Sequence, residues 1–253
     1  MKHLVKLTLA LTFTSFLSGC ALFSGDATEA DIPETQLWNE AKSFLTDSNF
    51  ELAGQKLEAL ESRYPFGRFS EQAQLELIYA YHKQGKSGEA IAAADRFIRL
   101  HPKHENIDYA YYLRGLTRFL ADQSIVNRFL PTDMSMRDSG AAKESFDDFA
   151  ILLERYPSSQ HAPDARKRMI FLRNQLALYE IHVARYYLKR GAFVAATNRG
   201  RYVLENFAQT TSIADALAVM VRGYTELGLS DLSANSQIVL EQNYPDYPGL
   251  VLD

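Results

Sequence analysis

Cys20 is the single cysteine of the chain and its one candidate for covalent sulfur chemistry. It closes the run Leu17-Ser18-Gly19-Cys20, behind an apolar stretch from Leu7 to Leu17 and the charges of Lys2 and Lys6. A charged start, a short apolar segment and a small-residue cleavage point make an export leader. The Leu-x-Gly-Cys ending is narrower and reads as a bacterial lipobox. Its thiol takes a diacylglycerol, and after cleavage its amino group takes an acyl chain. Residues 1–19 are then the leader, and Cys20 begins a chain held on a membrane without crossing it. Ala21, where an aspartate would retain the chain, favours sorting to the outer membrane of a Gram-negative cell, on its periplasmic face. The competing reading is an ordinary leader with a chance cysteine at its boundary.

No other residues assemble a reactive set. A glycine-rich phosphate loop, Gly-x-Ser-x-Gly and His-Glu-x-x-His are all missing from the sequence. His101 and His104 flank Pro102-Lys103 without a carboxylate or thiolate beside them, which suits a solvated turn better than a metal site. His82 and His182 fall in helical runs, as packed or exposed side chains. Asp147 and Asp148 are adjacent, so on a helix they point different ways and read as solvated surface. The expectation is a non-enzyme with no catalytic residue, no metal and no cofactor beyond the lipid.

Aromatic side chains offer a different chemistry. Tyr64, Phe66, Phe69, Tyr79 and Tyr81 crowd one region, and Tyr109, Tyr111 and Tyr112 follow. Rings of this kind either fill a core or anchor an extended peptide in a groove. The turn Tyr64-Pro65-Phe66-Gly67-Arg68-Phe69-Ser70 sets two rings just past a helix stop, where core demand is lowest. Arg63 and Arg68 are placed to take a terminal carboxylate. The rings Tyr64, Phe66, Phe69, Tyr79 and Tyr81, with Arg63 and Arg68, are the candidates for peptide contact.

The elements that must carry these residues are helical. Leu75-Leu77-Ile78-Tyr81 and Ile91-Ala94-Phe97-Ile98 repeat at helical spacing, and strand-like alternation is missing. Setting Lys2 and Lys6 aside leaves 25 of the 27 basic residues against 31 acidic ones. That balance argues against a nucleic-acid binder. With one cysteine there is no disulfide framework, so packing alone must stabilise the fold.

A fixed period organises the helices. Similar endings stand at Arg63-Tyr64-Pro65, Leu100-His101-Pro102, Arg155-Tyr156-Pro157 and Asn243-Tyr244-Pro245, with Asn206-Phe207-Ala208 lacking the proline. Seventeen residues before each ending stand Ser48, Gly85, Gly140, Gly191 and Gly228. Twelve before are the small residues Ala53, Ala90, Ser145, Ala196 and Ser233. Five before are the apolar Leu60, Phe97, Leu152, Val203 and Leu240. The glycine ends a first helix, the small residue admits a second one closely, the apolar residue fills the contact, and the proline stops the pair. This matches the second half of a tetratricopeptide repeat, a helix pair of about 34 residues.

The predicted fold is all-α, an α-solenoid of five tetratricopeptide-like helix pairs. A flexible tether occupies 20–33 and the repeat domain 34–253. The repeats fall at 34–67, 70–103, 106–159, 162–210 and 212–247. The third carries an insertion at 122–139, where Phe129, Leu130, Met134 and Met136 are apolar for a loop. It is either a plain surface loop or a partner contact.

The chain resembles the BamD family, lipoprotein subunits of the β-barrel assembly machinery of Gram-negative outer membranes. The likeness rests on Leu60–Ser70, Leu77-Ile78-Tyr79-Ala80-Tyr81, Asp95–Leu100, Asn106-Ile107-Asp108-Tyr109, Arg114-Gly115-Leu116-Thr117, Arg137-Asp138, Ala192–Ala195 and Asn198-Arg199. It thins past Phe207, and the Tyr244–Asp253 tail is particular to this chain. The resemblance implies a scaffold that binds a BamA-like barrel protein through its POTRA domains, together with BamC- and BamE-like lipoproteins. It implies that the N-terminal repeats read the C-terminal signal of unfolded outer-membrane proteins, a role that falls here on Tyr64, Phe66, Gly67 and Phe69, with Tyr79 and Tyr81 beside them. Arg199 then matches an arginine at the BamA interface that pairs with an acidic residue. A periplasmic tetratricopeptide lipoprotein scaffolding cell-wall enzymes is the other functional class the sequence admits.

Overall fold

The structure is a computed structural model that describes residues 32–122 and 140–252. Residues 1–31, with the expected leader, Cys20 and most of the expected tether, and residues 123–139, all but the first position of the expected 122–139 insertion, lie outside the described residues. Ten helices and no strand occur among the described residues. They are α1 (Glu34–Thr46), α2 (Phe50–Arg63), α3 (Ser70–Gln84), α4 (Ser87–Leu100), α5 (Ile107–Asp122), α6 (Gly140–Arg155), α7 (Ala162–Lys189), α8 (Phe193–Asn206), α9 (Ile213–Glu226) and α10 (Ser230–Asn243).

Each helix packs on the next in sequence, and two pairs of first helices also touch across units, α3 with α5 and α7 with α9. Burial is accordingly spread along the array in a series of local clusters rather than gathered into one core. The three sequence offsets explain this packing. Ala53, Ala90, Ser145 and Ala196 are fully buried, and so are Leu60, Phe97, Leu152 and Val203. Gly85, Gly191 and Gly228 take left-handed φ values of 74°, 71° and 71°, and Ser48 takes 58° at the matching place. Those four residues turn the chain between the two helices of a pair.

Gly140 departs from this pattern. It opens α6 instead of following a first helix, since α5 already ends at Asp122. The proline is also dispensable as a stop. The amide of Phe207, followed by Ala208, donates to Val203 O at 2.9 Å, as Tyr64, His101, Tyr156 and Tyr244 donate to the carbonyl four back at 2.8 Å.

Two expectations of solvated surface fail. Asp148 is 2% exposed. Arg114 and Arg118, reaching over from α5, both donate to it, and Arg114 also pairs with Asp95 on α4. Only Asp147 is exposed, beside Lys143 at 3.0 Å. His101 and His104 are half-buried against the Phe97 ring, at 4.9 and 5.2 Å between centroids, with Glu71 facing both imidazoles.

Candidate functional site

The turn between α2 and α3 is built from both directions. The amide of Gly67 donates to Tyr64 O at 3.0 Å and that of Ser70 to Gly67 O at 3.2 Å, while Ser70 Oγ donates to Pro65 O at 2.7 Å. From α1, Glu34 Oε1 accepts the amide of Phe69 at 2.8 Å. Gly67 is needed for that approach, since a Cβ there would overlap the Glu34 carboxylate. The Tyr64 hydroxyl donates to Ile32 O at 3.0 Å and ties the start of the domain to the same loop.

These anchors sort the sequence-derived residues. Phe66 is 100% exposed at the loop tip. Phe69 instead stacks on Trp38, centroids 5.1 Å apart and planes within 5°, and both rings pack against the Leu37–Leu57–Leu60 cluster. Core demand therefore reaches past the helix stop and claims the second ring. Arg68 is exposed, its guanidinium 5.3 Å over the Phe69 ring. Arg63 is half-buried at the last turn of α2. Glu34 puts a carboxylate against the loop, so a ligand carboxylate meets repulsion there and attraction at Arg68.

Tyr79 and Tyr81 stand two positions apart on α3 and diverge. Tyr79 sits edge-on to Phe50 at 5.8 Å. The Tyr81 hydroxyl donates to Glu58 at 2.9 Å, and burial followed by that bond pushes its phenol above the ordinary range. Both are half-buried and pack on the α3–α4–α5 cluster, and Tyr81 also on the cluster of α1, α2 and α3. Glu34 and Trp38 were not among the residues singled out from sequence. Trp38 follows buried Leu37 by one position, which is the only signal that placed it near the core edge.

Arg199 lies on α8. Its Nη1 donates to Glu180 Oε2 of α7 at 2.8 Å, and the side chain stays 41% exposed. The hydrogen bond it donates to that carboxylate raises the guanidinium pKa above its ordinary value. A second carboxylate from outside can still reach the exposed part of the fork. Groups of three or more metal-binding side chains do not occur among the described residues.

The family model described as outer membrane lipoprotein, YfiO, matches residues 30–240. A Neisseria meningitidis serogroup A protein named outer membrane protein assembly factor BamD is 41% identical over 251 residues, covering 97% of this chain and 93% of that protein. Proteins of the same name from Xylella fastidiosa strain 9a5c and Vibrio cholerae are each 39% identical. They cover 98% and 90% of this chain, and 84% and 94% of their own lengths. Among solved structures, a tetratricopeptide repeat protein from Parabacteroides merdae has a TM-score of 0.42 and 15% identity over 84% of this chain and 67% of that one.

Proposed function

The chain belongs to this outer membrane lipoprotein family, and from that premise we propose that it is an outer membrane protein assembly factor of the BamD kind. It is a scaffold and not an enzyme. Lipid on Cys20 holds it at the periplasmic face, and its N-terminal loop reads the C-terminal signal of unfolded outer-membrane proteins. The observation that carries the reading is Phe66: a large ring, wholly exposed, on a loop clamped by Glu34, Tyr64 and Ser70. A pre-ordered apolar anchor loses little entropy on binding, which is the design of a recognition site. Arg68 next to it supplies the charge for a terminal carboxylate. Arg199 docks an acidic side chain of a POTRA domain on a BamA-like protein, and BamC- and BamE-like lipoproteins complete the assembly. Family membership favours this reading over a cell-wall scaffold.

The test uses the acylated protein and a fluorescent peptide copying the aromatic C terminus of a barrel protein. Phe66→Ala should weaken peptide binding roughly 10-fold or more, the scale of an ordinary anchor truncation; unchanged affinity retires the loop as a reader. Arg199→Glu should abolish co-purification with the POTRA-bearing partner, and reversing the partner's acid should restore it. Mass spectrometry of the mature N terminus reads the acyl chains on Cys20. A pull-down that enriches peptidoglycan enzymes in place of barrel-assembly subunits would overturn the whole assignment.

A further inference from the structure

α7 is the longest helix among the described residues, 28 residues against 16 in α6 and 14 in α8, and two units share it. Its first half buries Ala165, Leu172 and Leu176 with α5 and α6. Its second half buries Ala177 and Ile181 with α8 and α9. The chain entering α9 arrives at the midpoint, where Asn174 Oδ1 accepts the Thr211 amide at 3.4 Å. The flank that α8 and α9 cover in the second half is therefore left open by them in the first.

Ile170 and Phe171 lie on that flank, 54% and 43% exposed, although Phe171 meets Phe119 edge-on at 5.6 Å. Three and four positions from Ile170, and so beside it on the helix, stand Arg166, Lys167, Arg173 and Asn174. Beside Phe171 stand Lys167, Arg168, Asn174 and Gln175. Neither set of neighbours contains a carboxylate. Asp164 takes Arg168, but Arg166, Lys167 and Arg173 make no ion pair with a described residue. Elsewhere surface cations are paired across helices or along them, Lys42 with Glu76, Arg96 with Glu61 and Arg222 with Glu226. The chain has a formal net charge of −4, so three such cations around two exposed apolar side chains are not a by-product of a basic composition.

We propose that this flank of α7 rests on an anionic phospholipid surface. Arg166, Lys167 and Arg173 meet the headgroup phosphates, and Ile170 and Phe171 enter the boundary between headgroups and acyl chains. Cations around an apolar centre match the layering of a phospholipid, phosphate first and hydrocarbon beneath. Five side chains bind such a surface weakly on their own, so the contact sets the orientation of a solenoid already tethered beside it. The inference takes its setting from the outer-membrane reading but not its mechanism, and it is independent of Phe66 and Arg199.

The test uses the mature chain, residues 20–253, with Cys20→Ala so that no acyl chain contributes. It is floated with vesicles of phosphatidylethanolamine and phosphatidylglycerol and, separately, of phosphatidylcholine alone. A cation beside an anionic surface is worth roughly fivefold in partitioning. Adding Arg166→Glu with Lys167→Glu should therefore lower recovery on the anionic vesicles roughly tenfold or more, and Ile170→Ser should lower it severalfold. Phosphatidylcholine should recover little of the chain. Equal recovery on the two lipids, or indifference to the charge reversals, would overturn the proposal. Capture by polyglutamate with no recovery on anionic vesicles would give the flank to an acidic polypeptide and also reject it. Missing acyl chains on Cys20 of the native protein would fail the outer-membrane reading and leave these recoveries unchanged.

Discussion

Replacing Gly67 by alanine should act through Glu34 and not through backbone strain. The added Cβ would overlap the Glu34 carboxylate, which is the mobile end of a flexible side chain. The carboxylate therefore swings away, and the loss is the bond it makes to the Phe69 amide at 2.8 Å. A hydrogen bond to a charged acceptor contributes about 1.5–3 kcal/mol. Glu34 is half-exposed, which puts the loss at about 1.5 kcal/mol. For a domain of this size that lowers the melting temperature by roughly 3–6 °C. Glu34→Ala should cost the same, since it deletes the same bond. The decisive measurement is the double variant, Gly67→Ala with Glu34→Ala, followed by circular dichroism in urea and on heating. It should be no less stable than either single change, giving a coupling of about 1.5 kcal/mol in the cycle. Strictly additive losses, or a Gly67→Ala protein of full stability, would refute the claim that this glycine exists to admit the carboxylate. Freeing the loop should also weaken the C-terminal peptide, although Phe66 itself is untouched.

The two loop phenylalanines should separate cleanly. Phe69→Ala removes the Trp38 stack and should cost about 2 kcal/mol of stability in urea titration, whereas Phe66→Ala should stay within about 0.5 kcal/mol; a reversed order would contradict the burial. Asp148→Ala takes the buried carboxylate from Arg114 and Arg118, leaving them Asp95 and Glu144, and should cost about 3 kcal/mol; a wild-type unfolding midpoint would show that the network carries no weight. Burial lowers the His82 pKa from its ordinary 6.5, so the folded chain binds fewer protons than the unfolded one just below that value. Its contribution is complete above about pH 6.5 and is lost as the pH falls. Melting temperatures between pH 7.5 and 5 should decline less steeply in His82→Gln, and parallel curves would exclude the histidine as a cause.

What could be read from residue order follows the range of the forces involved. Helix turns, small-residue contacts and helix stops are local, so offsets from Tyr64, His101, Tyr156, Phe207 and Tyr244 located the pairs. The same reasoning misplaced Gly140, since the insertion before it cannot be recognised from the offset alone. It missed the burial of Asp148, because Arg114 and Arg118 arrive from another helix. It treated Phe66 and Phe69 as alike, and only the approach of Trp38 from α1 distinguishes them. No spacing rule announces that Gly67 faces Glu34, or that Tyr247 returns to Asp215. Those contacts join segments far apart in sequence, and they decide which aromatics can meet a partner.

The third unit shows why a buried charge cluster sits where it does. Elsewhere a short turn sets the register of the two helices in a pair, whereas α5 and α6 are joined across the insertion. A longer connection adds little to loop-closure entropy, about 0.6 kcal/mol per doubling, but it no longer fixes how the helices slide. Register must come from the contact itself. Gly115 supplies the close approach, since a Cβ there would press on Phe149 at 3.0 Å and on Asp148 at 3.2 Å. Ser145 Oγ donates to Gly115 O at 2.8 Å and marks one alignment. Asp148 then receives Arg114 and Arg118 from successive turns of α5, an arrangement that a one-turn slip would break at the expense of unpaired buried charge. These pairs tie the α5–α6 register to charge pairing, since a slip would separate Asp148 from both arginines.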